Sequence, residues 1–207
     1  MAPSPSLSLH RLGRDENGAP LDALVVILFG EGQQAEAEAF TRQWAPAVPR
    51  GAFVGLELDL NARRTDLVGL RALIDEAAEA HGLQGWQIVL LGAGPAGRLA
   101  IDLAMLGVAP GAAVIALDIP LESTPTNLTP LPASVRMVQR STPEDPDGER
   151  FHAVVDALQR RRVNVRSMLL PDLGAATERA GQRAAGAFLV ELVANAGRSA
   201  PTERSWP

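Results

Sequence analysis

The sequence predicts an α/β protein, a three-layer α/β/α sandwich built on a mostly parallel sheet of about seven strands. Two features lead to this prediction. Segments of strand length alternate with helical patterns along the chain, and the strand-length segments are almost continuously apolar. Repeated alternation of strand and helix is typical of parallel strands with helices on both faces of the sheet. Strands that are covered on both faces lose the alternation of polar and apolar residues.

Seven strands are predicted along the chain. The first is a short edge strand, in which Leu7, Leu9 and Leu12 lie beside polar residues. A turn signal at 15–18 separates it from the next strand. The remaining strands are apolar runs at 23–29, 52–58, 87–91, 112–117, 135–138 and 163–170.

Five helices are predicted between and after these strands. Their apolar residues recur three and four positions apart, the spacing that places side chains on one face of a helix. This spacing is clear in the fourth helix, at Phe151, Val154, Val155 and Leu158. The five helices are predicted at 34–45, 66–81, 96–107, 148–162 and 177–195.

The length of the chain limits it to one domain. A chain of 207 residues with 46% hydrophobic composition can fill one core but is too short for two ordinary domains. We therefore predict a single domain over 1–207. Its ends, 1–6 and 197–207, are rich in Pro, Ser, Ala and Arg and are expected to be frayed. The Pro- and Thr-rich segment 124–132 is expected to be a connecting loop.

Composition excludes several classes of function. Because the chain has no cysteine, it has neither disulfides nor thiol chemistry. The three histidines, His10, His81 and His152, lack metal-ligand spacing, so we expect no metal site and no other cofactor. A net charge of -5 argues against nucleic-acid binding. No apolar run is long enough to span a bilayer or resembles a signal peptide, so a cytoplasmic protein without membrane contact is expected.

A glycine-rich turn between the predicted strand 87–91 and the following helix allows two interpretations. Gly92, Gly94 and Gly97 satisfy the pattern G-x-G-x-x-G, in which glycines allow a tight turn and close approach of a pyrophosphate. Asp118 follows at the end of the next strand, where a ribose-binding acid is expected in such folds. On its own, this pattern indicates binding of a dinucleotide such as FAD or NAD.

The same stretch also resembles the nucleophile elbow of α/β-hydrolases, in which a strand enters G-x-S-x-G and a helix follows. In small bacterial carboxylesterases, phospholipases and acyl-protein thioesterase-like proteins, the usual string is close to L-L-G-F-S-Q-G. Here the segment 90–96 reads L-L-G-A-G-P-A. Further similarity lies in 24–30, the family's first core strand, in 142–146, its acid loop, and in 163–174, its last strand and turn. The resemblance therefore implies an α/β-hydrolase fold over residues 20–195.

The resemblance also implies that the catalytic residues of a serine esterase have been lost. The nucleophile position is Gly94, which has no side chain. The next residue normally donates its N–H to the oxyanion, but here it is Pro95, which has none. The base position is Ala175. Only the acid position keeps a suitable residue, Asp145 or the adjacent Glu144, and Asp145 is as well placed to cap the next helix.

A second loop of the family, which helps to hold the oxyanion, is also altered. It reads L-F-G-E-G at 28–32. Phe29 replaces the family's histidine, Gly30 is retained, and Glu31 brings a carboxylate where negative charge would develop. We therefore do not expect this loop to be functional in acyl transfer.

These losses favour a non-catalytic carboxylesterase-like homologue that acts as a binding, regulatory or scaffolding protein, pairing with itself or with an active relative. An alternative is an esterase or other hydrolase with a relocated site, built from Asp118, Glu122 and Asp145 on one rim of the sheet. The second alternative is dinucleotide binding through the glycine-rich turn. The sequence identifies no ligand.

Overall fold

A computed structural model describes residues 8–12, 20–60, 66–121, 134–142, 145 and 148–197. The described strands are β1 (Ser8–Arg11), β2 (Ala23–Gly30), β3 (Gly51–Leu58), β4 (Ile88–Ala93), β5 (Ala113–Leu117), β6 (Ser134–Arg140) and β7 (Asn164–Leu170). The helices are α1 (Gln34–Trp44), α2 (Leu67–Ala80), α3 (Pro95–Met105), α4 (Glu149–Arg160) and α5 (Ala175–Ala196), with short 3-10 helices at Ala45–Ala47 and Gly85–Gln87.

The strands form one mostly parallel sheet in the order β1-β3-β2-β4-β5-β6-β7. Only β1 is antiparallel to its neighbour, with Leu9 opposite Leu56 of β3. The interior strand β2 pairs with β3 on one side and β4 on the other, and all eight of its residues are buried. The predicted fold class, an α/β sandwich with a mostly parallel sheet of about seven strands, is confirmed.

Two apolar clusters cover the two faces of the sheet, as successive side chains of a strand point to opposite faces. Leu24, Val26 and Leu28 of β2 belong to the cluster formed with α2, α3 and α4. Val25 and Ile27 belong to the opposite cluster, formed with α1 and α5. The three layers predicted from the sequence are therefore α2–α3–α4, the sheet, and α1–α5.

The predicted strands and helices lie close to the observed ones, with two differences. Gln87 was predicted to be the first residue of β4, but it belongs to a 3-10 helix. Its side chain accepts a hydrogen bond from Gln84 N and donates one to the carbonyl of Asp22. The run 163–170 was predicted to be buried on both faces, but β7 is the last strand of the described sheet and is mostly exposed, including Met168 at 40%. An edge strand has only one neighbour, so helices cover it less completely.

Several predicted features lie outside the described residues: the end segments 1–6 and 198–207, the turn at 15–18 and the loop at 124–132. Glu122 and Glu144 also lie outside them. Within the ranges that the structure does describe, no helix is both long and apolar enough to cross a membrane.

A buried arginine joins β6 to α5. Arg136 is 2% exposed and donates through Nη1 to the carbonyls of Val135 and Asn164. Its Nη2 donates to Oε1 of Glu191 at 2.9 Å, while Arg166 approaches Oε2 of the same carboxylate at 3.1 Å. Arg136 Nε has no acceptor among the residues that the structure describes. Glu191 thus neutralises a cation inside the protein and binds a second cation at its surface.

Burial of Asp102 on α3 predicts a pH-dependent stability. Burial raises the pKa of Asp102, and the ion pair with Arg98 at 3.2 Å offsets this only in part. The folded state therefore holds this proton more tightly than the unfolded state. The contribution of Asp102 to stability should fall as pH rises from the ordinary aspartate pKa through the raised one.

We expect Asp102→Asn to remove this decrease in the free energy of unfolding with rising pH. Urea unfolding over a series of acidic pH values measures it. Asp75→Asn is the matched control, because it removes an equivalent but exposed pair with Arg71 on α2. Asp75→Asn should retain the pH dependence of the free energy of unfolding that Asp102 causes. If the free energy of unfolding of Asp102→Asn still decreases with pH as in the natural protein, other groups cause the decrease.

Candidate functional site

A cavity of about 550 Å³ lies at the carboxyl ends of four adjacent strands. Gly94 follows β4, Asp118 follows β5, Ser141 follows β6, and Asp172 lies two residues beyond β7, and all four residues line the cavity. Open α/β sheets generally place their ligands at this edge. The volume lies within the range of small-molecule sites. The cavity is therefore the candidate functional site.

The turn between β4 and α3 has an unusual backbone at Gly94, with φ 56° and ψ -132°. Residues other than glycine rarely adopt this conformation, and strained turns of this kind are typical of functional sites. The turn is fixed by a hydrogen bond from Gly94 N to the carbonyl of Leu117, at 2.8 Å. A Cβ on Gly94 would meet no atom within 4 Å. The turn thus presents an open space on the cavity side where a side chain would project.

The other two glycines of the turn allow α3 to pack directly against the end of β4. A Cβ on Gly92 would lie 2.6 Å from the carbonyl carbon and oxygen of Ala96. A Cβ on Gly97 would lie 2.7 Å from the carbonyl oxygen of Gly92. These contacts lie between the strand and the helix, so the two glycines have a structural explanation that requires no pyrophosphate.

Asp118, the residue predicted as a ribose-binding acid, is held by a neighbouring arginine. Its backbone lies at φ 45°, and its Oδ1 accepts from Arg140 N while Oδ2 accepts from Arg140 Nε, each at 2.9 Å. Asp118 N in turn donates to the carbonyl of Val138. Both carboxylate oxygens are therefore occupied in joining β5 to β6. This geometry does not favour the dinucleotide interpretation.

Asp145, at the predicted acid position, lines the cavity and caps α4. Its Oδ1 accepts from Arg150 N at 3.3 Å and its Oδ2 accepts from Phe151 N at 3.4 Å. A carboxylate at this position satisfies unpaired amides and interacts favourably with the helix dipole. The role of helix cap, which the sequence allowed, is the one found in the structure.

Comparison with solved structures identifies the fold. Esterase PE8 is similar over 91% of this chain and 98% of its own, with 16% identity and a TM-score of 0.65. A lipase/esterase from Lactobacillus plantarum covers 91% and 94%, with 17% identity and a TM-score of 0.64. Thermogutta terrifontis esterase 2 covers 90% and 89%, with 14% identity and a TM-score of 0.65. This chain has the α/β-hydrolase fold.

No protein-family model matches the sequence, and no curated protein matches it either. The likeness is therefore one of three-dimensional structure. In an α/β-hydrolase the nucleophile is carried on the turn between a central strand and a helix. In this chain, which shares that fold, the turn between β4 and α3 is the one at Gly94.

The residues that the sequence resemblance assigned to the other catalytic positions differ in their relation to the cavity. Pro95 lines the cavity as the first residue of α3 and has no N–H to donate. Ala175 is the exposed first residue of α5 and does not line the cavity. None of the histidines, His10, His81 and His152, lines the cavity either. His10 instead approaches Glu57 at 3.3 Å at the edge of the sheet.

The second predicted oxyanion loop, 28–32, does not line the cavity. The Phe29 side chain is buried in the core, with its ring centroid 5.9 Å from that of His10. Gly30 N donates to Oε1 of Gln33, so this amide is already satisfied. Glu31 is exposed. Unlike Gly94 and Pro95, the residues Phe29, Gly30 and Glu31 do not line the cavity. Their correspondence to the family's oxyanion loop stays a prediction.

The cavity residues that the sequence analysis did not single out include Gln139 and Arg140 at the end of β6, Arg150 in the first turn of α4, and Asp172 after β7. The predicted strand stopped at residue 138 because polar residues follow. Polar residues at the carboxyl end of a parallel strand were the signal that could have identified two of them. Among the described residues, no cluster of histidine and carboxylate side chains is placed to hold a metal ion.

Proposed function

We propose that this α/β-hydrolase does not cleave esters by the serine mechanism and uses the cavity beside its elbow to bind a small molecule. The observation that supports this most is the turn at Gly94. It has the strained backbone expected of an elbow and faces open space, but it carries no nucleophile. The fold has thus kept the part of the machinery that positions a reacting group.

Two further features support the proposal independently. Pro95 cannot donate to an oxyanion, and loss of one such donor typically costs about 3 to 4 kcal/mol of transition-state stabilisation. Ala175 cannot act as a base. Acyl transfer needs nucleophile, base and oxyanion donors together, so a single compensating change does not restore it.

The proposal is tested by hydrolysis of p-nitrophenyl butyrate and by labelling with a fluorophosphonate probe. We expect neither hydrolysis above a heat-denatured blank nor labelling, for the natural protein and for Gly94→Ser alike. The serine variant should stay inert because it still lacks a base and the amide at residue 95. An active serine esterase serves as positive control for both reagents. Hydrolysis by the natural protein would contradict the proposal.

A second candidate function is hydrolysis at a relocated site. It is favoured by one observation: the three carboxylates Asp118, Asp145 and Asp172 line the same cavity. Hydrolysis that persists in Gly94→Ala but disappears in Asp172→Asn would support this candidate. Asparagine keeps an oxygen that can accept from Gly174 N, as Asp172 Oδ1 does at 3.1 Å. Loss of activity in Asp172→Asn would therefore report on the charge and not on the turn.

A further inference from the structure

The two edges of the described sheet differ in how they are protected against pairing with another chain. Natural edge strands are usually short, bulged, or interrupted by charged residues and proline. β1 is such a strand, with four residues that include His10 and Arg11. β7 has seven residues, pairs with β6 in one unbroken register, and carries a single charged residue, Arg166, which is bound by Glu191. β7 is therefore the less protected edge.

The backbone of β7 alternates between groups that face β6 and groups that face outward. Ser141 N donates to the carbonyl of Leu170, so the N–H and C=O of Leu170 face β6. The N–H and C=O of one residue point to the same side of a strand, and the side alternates from residue to residue. Those of Val165, Ser167 and Leu169 therefore face away from β6, where no other strand of the described sheet lies. These three residues form an open row of donors and acceptors.

The side chains beside this row are largely apolar. Val165 and Leu169 pack against the core on the α4 face and Leu170 on the α5 face, and all three are only partly buried. Met168 is 40% exposed. A strand added to this edge would cover these side chains and satisfy the row of backbone groups at the same time. The edge therefore has the features of a surface that another strand covers.

We propose that the protein forms a twofold-symmetric dimer in which the β7 strands of two copies pair antiparallel, with Ser167 on the axis. In a twofold dimer the same surface serves both copies, so this surface must be complementary to itself. With Ser167 opposite Ser167, Val165 lies opposite Leu169 of the other copy. Every outward-facing residue of the strand then has a partner with which it exchanges two hydrogen bonds. The two sheets become one continuous sheet.

Charge and proline favour this register over its two neighbours. An axis at Arg166 would place the two Arg166 residues directly opposite each other, and like charges in that position are destabilising. An axis at Met168 would place Val165 opposite Pro171, which has no N–H to donate. In the register centred on Ser167, Arg166 lies opposite Met168, so each of these charges faces an apolar side chain.

Helix α4 supports the same arrangement through its charges. It packs against β7 and connects two parallel strands, so it runs in the direction opposite to β7. A twofold axis that makes the β7 strands antiparallel therefore makes the α4 helices antiparallel as well. Glu149 lies in the first turn of α4 and Arg160 in the last, while Arg150 lines the cavity. The acidic end of each helix thus lies toward the basic end of the other copy, which favours this orientation.

Sedimentation equilibrium of the full chain over a range of concentrations tests for the dimer. We expect a reversible monomer–dimer equilibrium. Ser167→Pro should raise the dissociation constant of the dimer about a hundredfold or more, because it removes the donors on the axis and places a ring against the other strand. The hydrogen bonds to β6 stay intact, since Ser167 N faces outward. Leu9→Pro, at an outward-facing amide of the other edge strand, is the matched control and should dimerise as the natural protein does.

Single cysteines test the register, because the natural chain has no cysteine. The Cα atoms of two residues that face each other as a hydrogen-bonded pair lie about 5.5 Å apart, a distance that a disulfide spans. Ser167→Cys should therefore form a disulfide-linked dimer on mild oxidation. Met168→Cys is the matched control, since it is the next residue along and is also exposed. Its two copies lie two residues away from facing each other and should not link.

A natural protein that stays monomeric at every concentration would overturn the proposal, as would a dimer whose dissociation constant is unchanged in Ser167→Pro. A Met168→Cys dimer that forms as readily as the Ser167→Cys dimer would overturn it too. Circular dichroism shows whether each variant is folded, and the cysteine variants decide the outcome if Ser167→Pro does not fold. Each of these failures leaves the proposed lack of esterase activity intact, because hydrolysis is measured separately on p-nitrophenyl butyrate.

Discussion

Replacing Glu191 with alanine should lower the free energy of unfolding by about 3 kcal/mol or more, since it leaves the charge of Arg136 buried without its counter-ion. Arg136 is 2% exposed, and within the described part of the chain its remaining hydrogen bonds go to the neutral carbonyls of Val135 and Asn164. Neutral acceptors do not compensate for a lost carboxylate in a low-dielectric interior. Chemical denaturation of the purified variant measures the effect.

Arg166→Ala is the matched control for this prediction, as it removes the other cation from the same carboxylate. Arg166 is 64% exposed, so its loss should cost less than about 1 kcal/mol. A double variant, Arg136→Met with Glu191→Leu, should recover most of the stability, because an apolar pair of similar size often replaces a buried ion pair without loss. Equal costs for Glu191→Ala and Arg166→Ala would contradict the buried-charge explanation.

Gly92→Ala should destabilise the protein by about 3 kcal/mol, near the upper end of what overpacking costs. The added methyl group would lie 2.6 Å from backbone atoms of Ala96, and backbone cannot move aside as the end of a side chain can. The first turn of α3 would have to shift away from β4. Because that turn carries Gly94, the amide signals around the cavity should also shift, and thermal unfolding measures the loss of stability.

Gly181→Ala tests whether this cost comes from the contact or from the loss of a glycine. Gly181 lies inside α5, and its nearest neighbours would be 3.7 Å from the new methyl group, at an ordinary contact distance. Alanine in a helix interior is favoured over glycine by about 0.5 to 1 kcal/mol. Gly181→Ala should therefore be neutral or stabilising. Destabilisation by both variants to the same extent would argue against close packing at Gly92.

The order of strands and helices could be predicted from the sequence because each buried strand leaves a continuous apolar run. β2 is the clearest case, with eight buried residues. The exposure of β7 was not predicted, although Asn164, Arg166 and Ser167 interrupt its apolar residues. The position of a strand within the sheet depends on tertiary pairing, and a local run of residues does not contain it. Arg136 was missed for the same reason, because its partner Glu191 lies far along the chain.

The turn at Gly94 could be predicted from the sequence because glycine allows backbone conformations that other residues rarely adopt, and because the proline after it has no N–H. Gly94 and Pro95 are found at the cavity. Gln139 carried only the weaker signal of a polar residue at the end of a strand, and Arg150 carried no local signal. They become neighbours of the elbow only because β4, β5 and β6 lie side by side and α4 begins at the same edge of the sheet. The correspondence of Phe29 to a family oxyanion-loop position stays a prediction, because similarity along the chain does not show whether an aromatic ring points to a cavity or to the core.

The position of α5 at the end of the described chain has a consequence for biosynthesis. This helix supplies much of the apolar cover on one face of the sheet, through Ala185, Leu189, Leu192 and Val193. Until these residues leave the ribosome, the nascent protein exposes an apolar surface over its central strands. The opposite face of the sheet is covered earlier in synthesis, because α2, α3 and α4 precede α5 in the chain. Premature termination before α5 should therefore yield a product that binds chaperones or aggregates.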